Sequence, residues 1–348
     1  MAGYGTPTPP AYTDVKTKKN YQHRPQETEY MKPLNDLLSS RFGEPDWHNT
    51  WSMGTKELDD HIKAHQDRGV IWINDSLDRR TYNALDRITR QWDRPLWCVT
   101  SLTPYGLLDT DNVKFIAAMN YTYNFAEHIR RHHRNTVEWS QGYQDKIKAE
   151  HTFTMMVGTG DADRNHILRA CLDHGLGHVG EWSHSGSRDW QIPRRIIGED
   201  RRGIHIDWEE QFDTMGTIID TMWRSRVVVG LENLCGQHPH SSITEKTLWG
   251  YLSLRPTIAI SSPGADQLRK RLGFLPLSGI QQDRDQLSTA DKARDLIGEL
   301  WRLHHQPYDQ YRAWCDTQGD TISHNHEQVW QLSDRILGFV DQQLEKSA

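Results

Sequence analysis

The sequence predicts an α/β fold made of two Rossmann-like domains whose parallel sheets face a central cleft. Short apolar segments alternate along the chain with segments whose apolar residues recur every three or four positions, the pattern of buried strands followed by helices. A polar stretch over 135–150 interrupts this alternation, after which it starts again. The length of 348 residues also suits about two domains of ordinary size.

The first domain is expected over 29–148, after an N-terminal arm over 1–28. The arm is rich in Pro, Gly, Thr and Lys and lacks the apolar core of a signal peptide, so we predict a flexible segment. The expected elements of the domain are helices over 30–42 and 55–67, a strand over 70–73, a helix over 82–92, strands over 95–100 and 113–119, and a helix over 123–134.

The second domain is expected over 149–322. Gly175 is placed to end its first helix, because glycine readily adopts the left-handed backbone of helix C-termini. A final helix over 323–348 has an apolar stripe and is expected to cross back and pack on the first domain. The expected elements are a strand over 152–157, a helix around 167–172, a strand over 226–231, a helix over 244–254, a strand over 257–261, a helix over 265–272 and two long terminal helices.

Composition and charge exclude several classes of protein. The chain has 41 Lys and Arg against 47 Asp and Glu, a net charge of −6, so any attraction to nucleic acid must come from local patches. Four separated cysteines without a CxxC pair argue against a disulfide framework or a thiolate zinc site. No segment approaches the roughly 18 apolar residues of a membrane span. We therefore expect a cytoplasmic protein with no membrane partner.

The segment 241–274 carries the most informative arrangement of charged residues. Glu245 and Lys246 open a predicted helix, which leads through a buried strand and a Pro-Gly turn to a second helix. Ligands of α/β sheets bind beyond the carboxyl ends of strands, where unpaired amides at helix starts favour anions. Lys246 would supply a full charge to a diphosphate, and Glu245 would accept hydrogen bonds from sugar hydroxyls. The structural alternative is a capping box over 242–245.

Three parts of the second half resemble one group of proteins. The segment 241–274 fits a motif that begins with Thr-Glu-Lys-Thr, continues through Pro-Gly and ends in Leu-Gly-Phe. Upstream, 153–183 contains an apolar strand, a polar loop, an Arg at a helix start and a short strand with Trp and Ser, and 227–233 is a strand ending in Glu. The chain resembles phage and bacterial glycosyltransferase-like proteins, which are distantly similar to the donor domains of fucosyltransferases and exostosins.

This resemblance implies a GT-B-like fold and a nucleotide-diphosphate sugar, linked to UDP or GDP, as co-substrate. It makes Arg164 and Lys246 the contacts of the diphosphate, and Glu232 and Glu245 the contacts of ribose or sugar. Arg and Lys hold a diphosphate through charge-assisted hydrogen bonds without a metal. A surface position on its helix is the structural alternative for Arg164. The implied donor site is completed by two residues beside these, Gly158 and Thr244.

Two aspartates after the first apolar strand are candidates for the catalytic base. The segment 70–80 resembles the first strand and loop of the same group, in which an acidic residue after the strand is common. An inverting transfer needs a carboxylate or a His to take the proton of the acceptor hydroxyl. We therefore expect Asp75 or Asp78 to be this base. Capping of the following helix is the structural alternative for both.

Metal ligands are suggested by two patterns. The triplets 109–111 and 161–163 have an aspartate at each end and could chelate Mn²⁺ or Mg²⁺, although such triplets arise by chance in an Asp-rich chain. His128 and His132 are one helical turn apart and His133 is adjacent, but no third ligand stands at a telling distance. We expect no tightly bound cofactor and no divalent metal. A metal-dependent hydrolase that uses the histidines is the alternative.

Basic and aromatic residues in an irregular charged segment are candidates for acceptor binding. Arg194, Arg195 and Trp190 lie there, and such side chains bind the backbone and stack on the bases of nucleic acids, or pack on sugar rings. From the resemblance to phage proteins, one expected acceptor is a hydroxymethylpyrimidine in DNA, flipped out of the duplex, in the host cytoplasm. A glycan is the other acceptor. A non-catalytic DNA- or glycan-binding protein on a degenerate transferase scaffold is the alternative function.

Overall fold

Two parallel four-stranded sheets and the helices around them give the chain an α/β architecture, as the computed structural model shows. The predicted α/β class with two parallel sheets is confirmed, and the arrangement is compatible with two Rossmann-like domains. The predicted arm over 1–28 lies outside the described residues. The structure describes residues 29–48, 53–73, 79–92, 94–101, 103–104, 112–132, 148–157, 162–184, 192, 219, 221–232, 235–237, 240–241, 243–280 and 284–346.

The strands of the first sheet follow one another across it in a single direction, in the order β1-β2-β3-β5. All pairs are parallel. Every residue of β2 is buried, because both faces of the strand are covered. Trp72 packs in one apolar cluster, and Ile71 packs in another on the opposite face. The edge strand β1 was not predicted, because its two residues lie in a polar stretch. The four strands are β1 Trp47–His48, β2 Val70–Ile73, β3 Leu96–Thr100 and β5 Val113–Ala117.

Helices cover both faces of the first sheet. Leu58 and Ile62, one turn apart on α2, pack in the cluster on one face together with residues of α3. Leu34 and Leu38 have the same spacing on α1 and enter the cluster on the other face, as residues of α4 do. The helices are α1 Lys32–Phe42, preceded by a 3-10 turn Glu29–Met31, α2 Thr55–Ala64, α3 Arg79–Thr89 and α4 Asn120–His132.

The second sheet reverses its strand order at the first strand in the chain. The order is β10-β8-β6-β7, so the chain leaves β6 to one side, forms β7, and returns to β8 on the other side. Adjacent strands are parallel throughout. The strands are β6 His151–Met156, β7 Gly180–Ser183, β8 Ser225–Leu231 and β10 Thr257–Ile260.

Helices of the second half connect and cover this sheet. Gly175 follows the first of them with φ 79°, as predicted for a helix end. A glycine in β8 allows α6 to approach closely, because a Cβ atom at Gly230 would lie 2.9 Å from the Cα of Thr247. The helices are α5 Ala162–Asp173, α6 Glu245–Leu252, α7 Ala265–Arg271 and α8 Thr289–His305, with 3-10 turns Leu176–His178 and Arg284–Gln286.

The two halves of the chain contact each other directly. A two-stranded antiparallel pair joins β4 Thr103–Pro104 to β9 His240–Ser241. Thr122 of α4 donates a hydrogen bond of 2.6 Å to the carbonyl of Ile243, and the rings of Phe125 and Trp249 meet with their centroids 5.7 Å apart. One apolar cluster therefore contains residues of both halves.

The C-terminal region contains four helices instead of the two long helices predicted. Beyond α8, the chain forms α9 Tyr308–Thr317, α10 Gly319–Trp330 and α11 Leu332–Lys346. Pro307 precedes α9 and, lacking an amide hydrogen, cannot continue the preceding helix. α10 contacts α4 and α6, and α11 contacts α1, α4 and β5. The amide of Gln343 exchanges hydrogen bonds with the backbone of Ala117, so α11 is tied to the first sheet.

The cysteines form no disulfide bond. Cys98, Cys171 and Cys235 are buried thiols, and Cys315 is half-buried. Burial raises the pKa of the Cys171 thiol to about 12, which keeps it protonated and unreactive. Among the helices described above, none combines the length and apolarity that crossing a bilayer requires.

Candidate anion-binding site

The strand order of the second sheet reverses between β6 and β8. In α/β proteins the crevice that binds ligands lies beyond the carboxyl ends of the strands at such a reversal. α5 is the next helix after β6, and α6 packs against β8 and β10. The positive end of a helix dipole favours anions, so the starts of these two helices suit an anionic ligand.

Glu232 follows β8 and anchors the start of α6. Its carboxylate is fully buried and accepts a hydrogen bond of 2.9 Å from the backbone amide of Thr244. The hydroxyls of Thr244 and Thr247 donate short bonds to the same carboxylate. Burial raises the pKa of Glu232, although these hydroxyls and Lys246 favour its charged form. The contact with ribose or sugar that the resemblance implied for Glu232 stays a prediction.

A threonine cap, and not the capping box over 242–245, begins α6. Thr244 has an extended backbone, with φ −107° and ψ 175°, and its side chain accepts a hydrogen bond of 3.4 Å from the amide of Lys246. Glu245 is the first helical residue, and its carboxylate binds Lys246. The capping-box alternative is wrong because the helix starts two residues later than that motif requires.

Lys246 and Glu245 form a buried ion pair at the start of α6. The Nζ atom of Lys246 lies 2.5 Å from Oε1 of Glu245, and the two side chains are 7% and 27% exposed. Burial acts to raise the pKa of Glu245, but Lys246, through its charge and hydrogen bond, and the more distant charge of Arg164 lower it. Glu245 is therefore a carboxylate held ionised by two cations.

Arg164, the third residue of α5, reaches the same crevice. Its guanidinium donates a hydrogen bond of 2.9 Å to the carbonyl of Val157, directly after β6. Only 7% of the residue is exposed, so the surface position considered as an alternative is wrong. The charge of Arg164 also lowers the pKa of Glu245, with a smaller effect than that of Lys246. Arg164 lies on the helix that follows β6, and Lys246 lies on the helix that packs against β8, the neighbouring strand.

A buried lysine that the sequence did not single out supports this edge of the sheet. Lys292 of α8 is fully buried and donates hydrogen bonds of 2.8 and 2.7 Å to the carbonyls of Cys235 and Ser261. These carbonyls follow β8 and β10, so one ammonium joins the ends of two strands. Burial lowers the pKa of Lys292, while the carboxylates around it, including that of Asp285, oppose the shift. Lys292 lies within an ordinary amphipathic helix pattern, so the sequence did not indicate that its side chain is buried.

The end of the Leu-Gly-Phe motif has a structural role. Gly273 lies just after α7 with φ 89°, and its amide binds the carbonyl of Lys270 while the amide of Phe274 binds that of Arg269. These two bonds form a Schellman cap. Phe274 stacks on Tyr251 of α6, with ring centroids 4.8 Å apart. This part of the motif fixes α7 against α6 rather than contacting a ligand.

The two predicted metal patterns are only partly described. Asp163 has a protein partner, because Oδ1 accepts a hydrogen bond of 2.7 Å from Thr289. His128 packs edge-on against Tyr30 with ring centroids 5.9 Å apart. Asp161, the triplet 109–111, the side chain of His132 and all of His133 lie outside the part of the chain that the structure describes. Over the described ranges, the one group of three metal-ligating side chains lies on the first sheet and contains neither pattern.

Several predicted site residues belong to segments outside the described residues, and their positions stay predictions. They are the candidate bases Asp75 and Asp78, the donor-site Gly158, and the acceptor-site residues Trp190, Arg194 and Arg195. The structure describes the other predicted site residues, which lie on α5, at the end of β8 or at the start of α6: Arg164, Glu232, Thr244, Glu245 and Lys246.

Comparison with known proteins adds no identification: no protein-family model matches the chain, and neither does any curated protein.

Proposed function

We propose that this protein is a glycosyltransferase that takes a sugar from a nucleoside-diphosphate donor, in a GT-B-like arrangement of its two sheets. The observation that supports the proposal is the ion pair of Lys246 with Glu245 at the start of α6, next to the place where the strand order of the second sheet reverses, with the charge of Arg164 also favouring ionised Glu245. In this proposal the donor binds the second half of the chain, and the acceptor enters from the first.

Glu245 holds the place of an anion until the donor binds. A diphosphate has more negative charge than one carboxylate, and Arg and Lys bind it through charge-assisted hydrogen bonds. It would take over Lys246 from Glu245, and the positive end of the helix dipole at the starts of α5 and α6 would favour it further. The released carboxylate of Glu245 would then accept hydrogen bonds from hydroxyls of the ribose or sugar. Glu232 and Thr244 act by holding α6 in position.

The transfer itself requires stabilisation of a leaving group. The acceptor hydroxyl forms a bond to the anomeric carbon, the bond from that carbon to the diphosphate oxygen breaks, and the nucleoside diphosphate departs with the electron pair. Arg164 and Lys246 neutralise the charge that develops on the diphosphate, a contribution that a divalent metal makes in other enzymes. Asp75 or Asp78, which follow β2 in the chain, would take the proton of the hydroxyl.

The acceptor that we propose is a hydroxymethylpyrimidine in DNA. Arg194, Arg195 and Trp190 supply the cationic and aromatic groups that bind DNA backbone and a flipped base. Such a protein would act in the host cytoplasm.

The proposal is tested by product analysis with a donor panel. Purified protein is incubated with UDP- and GDP-linked sugars and with DNA containing hydroxymethylated or plain pyrimidines, and the products are measured by mass spectrometry. We expect a hexose-sized mass increase on modified DNA alone, which is lost in Lys246→Met and kept in Lys270→Met. Lys270 is an exposed lysine of α7. Donor binding without transfer to DNA or glycan would favour the non-catalytic alternative.

A further inference from the structure

Three histidines come together at one edge of the first sheet, on elements not used by the proposed transfer. His48 ends β1 and pairs in register with Ile73, the last residue of β2. His61 is on α2, and His65 caps the C-terminus of that helix. A separation of four residues places His61 and His65 on one helix face, and this face meets His48.

The three imidazoles are close enough to share one ion. The ring centroids lie 4.3 Å apart for His48 and His61, 4.5 Å for His61 and His65, and 5.7 Å for His48 and His65. One ligand nitrogen from each ring lies within 4.8 Å of the other two. Around a tetrahedral zinc ion, with Zn–N distances of about 2.1 Å, nitrogens are roughly 3.4 Å apart. Metal binding would therefore have to bring the nitrogens closer by at most about 1.4 Å.

Two of the three rings have a nitrogen without a partner. The Nε2 atoms of His61 and His65 are buried and have no hydrogen-bond partner among the residues that the structure describes. The Nε2 atom of His48 lies 3.1 Å from Oδ1 of Asp46. A buried polar atom without a partner costs about 1–3 kcal/mol, so two in one place are expensive unless a ligand satisfies them.

The hydrogen bond of His65 suits metal binding. Nδ1 of His65 lies 2.8 Å from the carbonyl of His61, which requires the proton on Nδ1 and leaves the lone pair of Nε2 for a metal.

A carboxylate beside the cluster completes its surroundings. Oδ1 of Asp46 lies 3.1 Å from Nε2 of His48, and Oδ2 lies 3.2 Å from Nη1 of Arg68. The carboxylate of Asp46 therefore lies next to the cluster. An anion in this position compensates part of the charge of a divalent cation.

We propose that His48, His61 and His65 bind one Zn²⁺ ion. Three imidazole nitrogens are a common donor set for zinc, and the fourth position is left to water or to Asp46. The ion would join the two-residue edge strand β1 to α2, the next helix along the chain. The proposal does not depend on the transferase activity, because no residue of the crevice in the second sheet takes part.

Metal titration of the full-length protein tests this site. Protein freed of metal with a chelator is titrated with Zn²⁺ by calorimetry, and Co²⁺ is added separately to detect the visible absorption of a tetrahedral site. We expect one equivalent of Zn²⁺ per chain, a higher melting temperature with Zn²⁺, and an affinity reduced more than 100-fold in His61→Asn and in His65→Asn. Removal of a ligand should cost more than loss of an outer partner, which costs about 10–100-fold.

His174 provides the matched control. It is an exposed histidine whose Nδ1 lies 2.8 Å from the carbonyl four residues earlier, as in His65. His174 does not belong to the cluster of His48, His61 and His65. His174→Asn should bind Zn²⁺ as the unaltered protein does. If the unaltered protein fails to bind Zn²⁺ at micromolar concentration, or if a correctly folded His61→Asn, as judged by circular dichroism, binds it normally, the proposed site is wrong.

Discussion

The two sheets have the same number and direction of strands but differ in how the chain crosses them. In the first sheet each connection moves to the next strand on the same side, giving the order β1-β2-β3-β5, whereas the second sheet reverses between β6 and β8. Two helices that lie on opposite sides of a sheet separate at such a reversal and leave a crevice. Two sheets of equal size thus differ in one respect: among the described strands, only the second sheet has a reversal of strand order, the place where ligands of α/β proteins bind.

Each sheet gathers its functional groups in the way that its connections allow. The crevice of the second sheet brings Arg164 and Lys246 near Glu245 from two separate strand–helix units. The first sheet collects His48, His61 and His65 at its edge, from one strand and the next helix along the chain. The first arrangement suits a large anionic ligand that spans two helix starts, and the second suits a single ion.

The largest loss of stability is expected on substitution of Lys292, whose ammonium joins the segments that follow β8 and β10 in the second sheet. Lys292→Ala removes the partner of the carbonyls of Cys235 and Ser261 and leaves a cavity. We therefore expect the free energy of unfolding to fall by about 3 kcal/mol or more. Urea unfolding measures the change. Arg294, an exposed residue of the same helix that pairs with Asp291, is the control, and Arg294→Ala should cost less than about 1 kcal/mol. Equal losses in the two variants would show that the buried ammonium is not a structural tie.

An intermediate effect is expected at Gly230, where the sheet and α6 approach closely. The Cβ atom of Gly230→Ala would lie 2.9 Å from the Cα of Thr247, a backbone atom that cannot move alone. We expect a destabilisation of about 1–3 kcal/mol together with weaker binding of nucleoside diphosphates, measured by thermal unfolding and calorimetry.

Gly298 is the matched position for this test. It lies within α8, and a Cβ atom added there would meet no neighbouring group within 4 Å. Gly298→Ala should therefore stabilise the protein by up to about 1 kcal/mol, because alanine loses less backbone entropy in a helix. A Gly230→Ala variant with unchanged stability and nucleotide binding would contradict the close packing of α6 on β8.

The smallest effect concerns the pH dependence contributed by Glu245. Its pKa is lowered in the folded protein, mainly by Lys246 against the opposing effect of burial, so its contribution to stability is present above its ordinary pKa of 4.5 and is lost as the pH falls below that value. Glu245→Gln should flatten, by a small amount, the decline of stability as the pH falls from 4.5 towards the lowered pKa of Glu245, measured by urea unfolding at several pH values in this range. An unchanged pH profile would mean that the ion pair contributes nothing to folding.

The sequence allowed the crevice to be predicted better than the groups that support it. Arg164 and Lys246 follow continuous apolar segments, and the carboxyl ends of parallel strands share one edge, so their proximity follows from the strand pattern. The partners of Glu232 could not be predicted in this way, because Thr244 and Thr247 reach it through a loop whose path depends on tertiary packing. The burial of Lys292 has the same origin.

The first sheet shows where sequence patterns are least informative. His61 and His65 have the spacing of one helical turn, which is a usable signal, but His48 belongs to a strand of two residues in a polar stretch. Parallel pairing with β2, and not local sequence, places it beside the helix. His128 and His132, which were considered but not predicted as metal ligands, have the same helical spacing, and His128 packs on Tyr30. Spacing alone did not separate the two cases.

The central claim, that Arg164 and Lys246 jointly bind a diphosphate, is tested most directly by a double-mutant cycle. The affinities of UDP, GDP and the matching nucleosides are measured by calorimetry for the unaltered protein, Arg164→Lys, Lys246→Met and the double variant, with Arg271→Ala, an exposed arginine of α7, as control. We predict that each single change weakens diphosphate binding about tenfold or more, that the two changes are coupled by at least about 0.5 kcal/mol, and that nucleoside binding is unchanged. Unaltered diphosphate affinity in both single variants would contradict the claim.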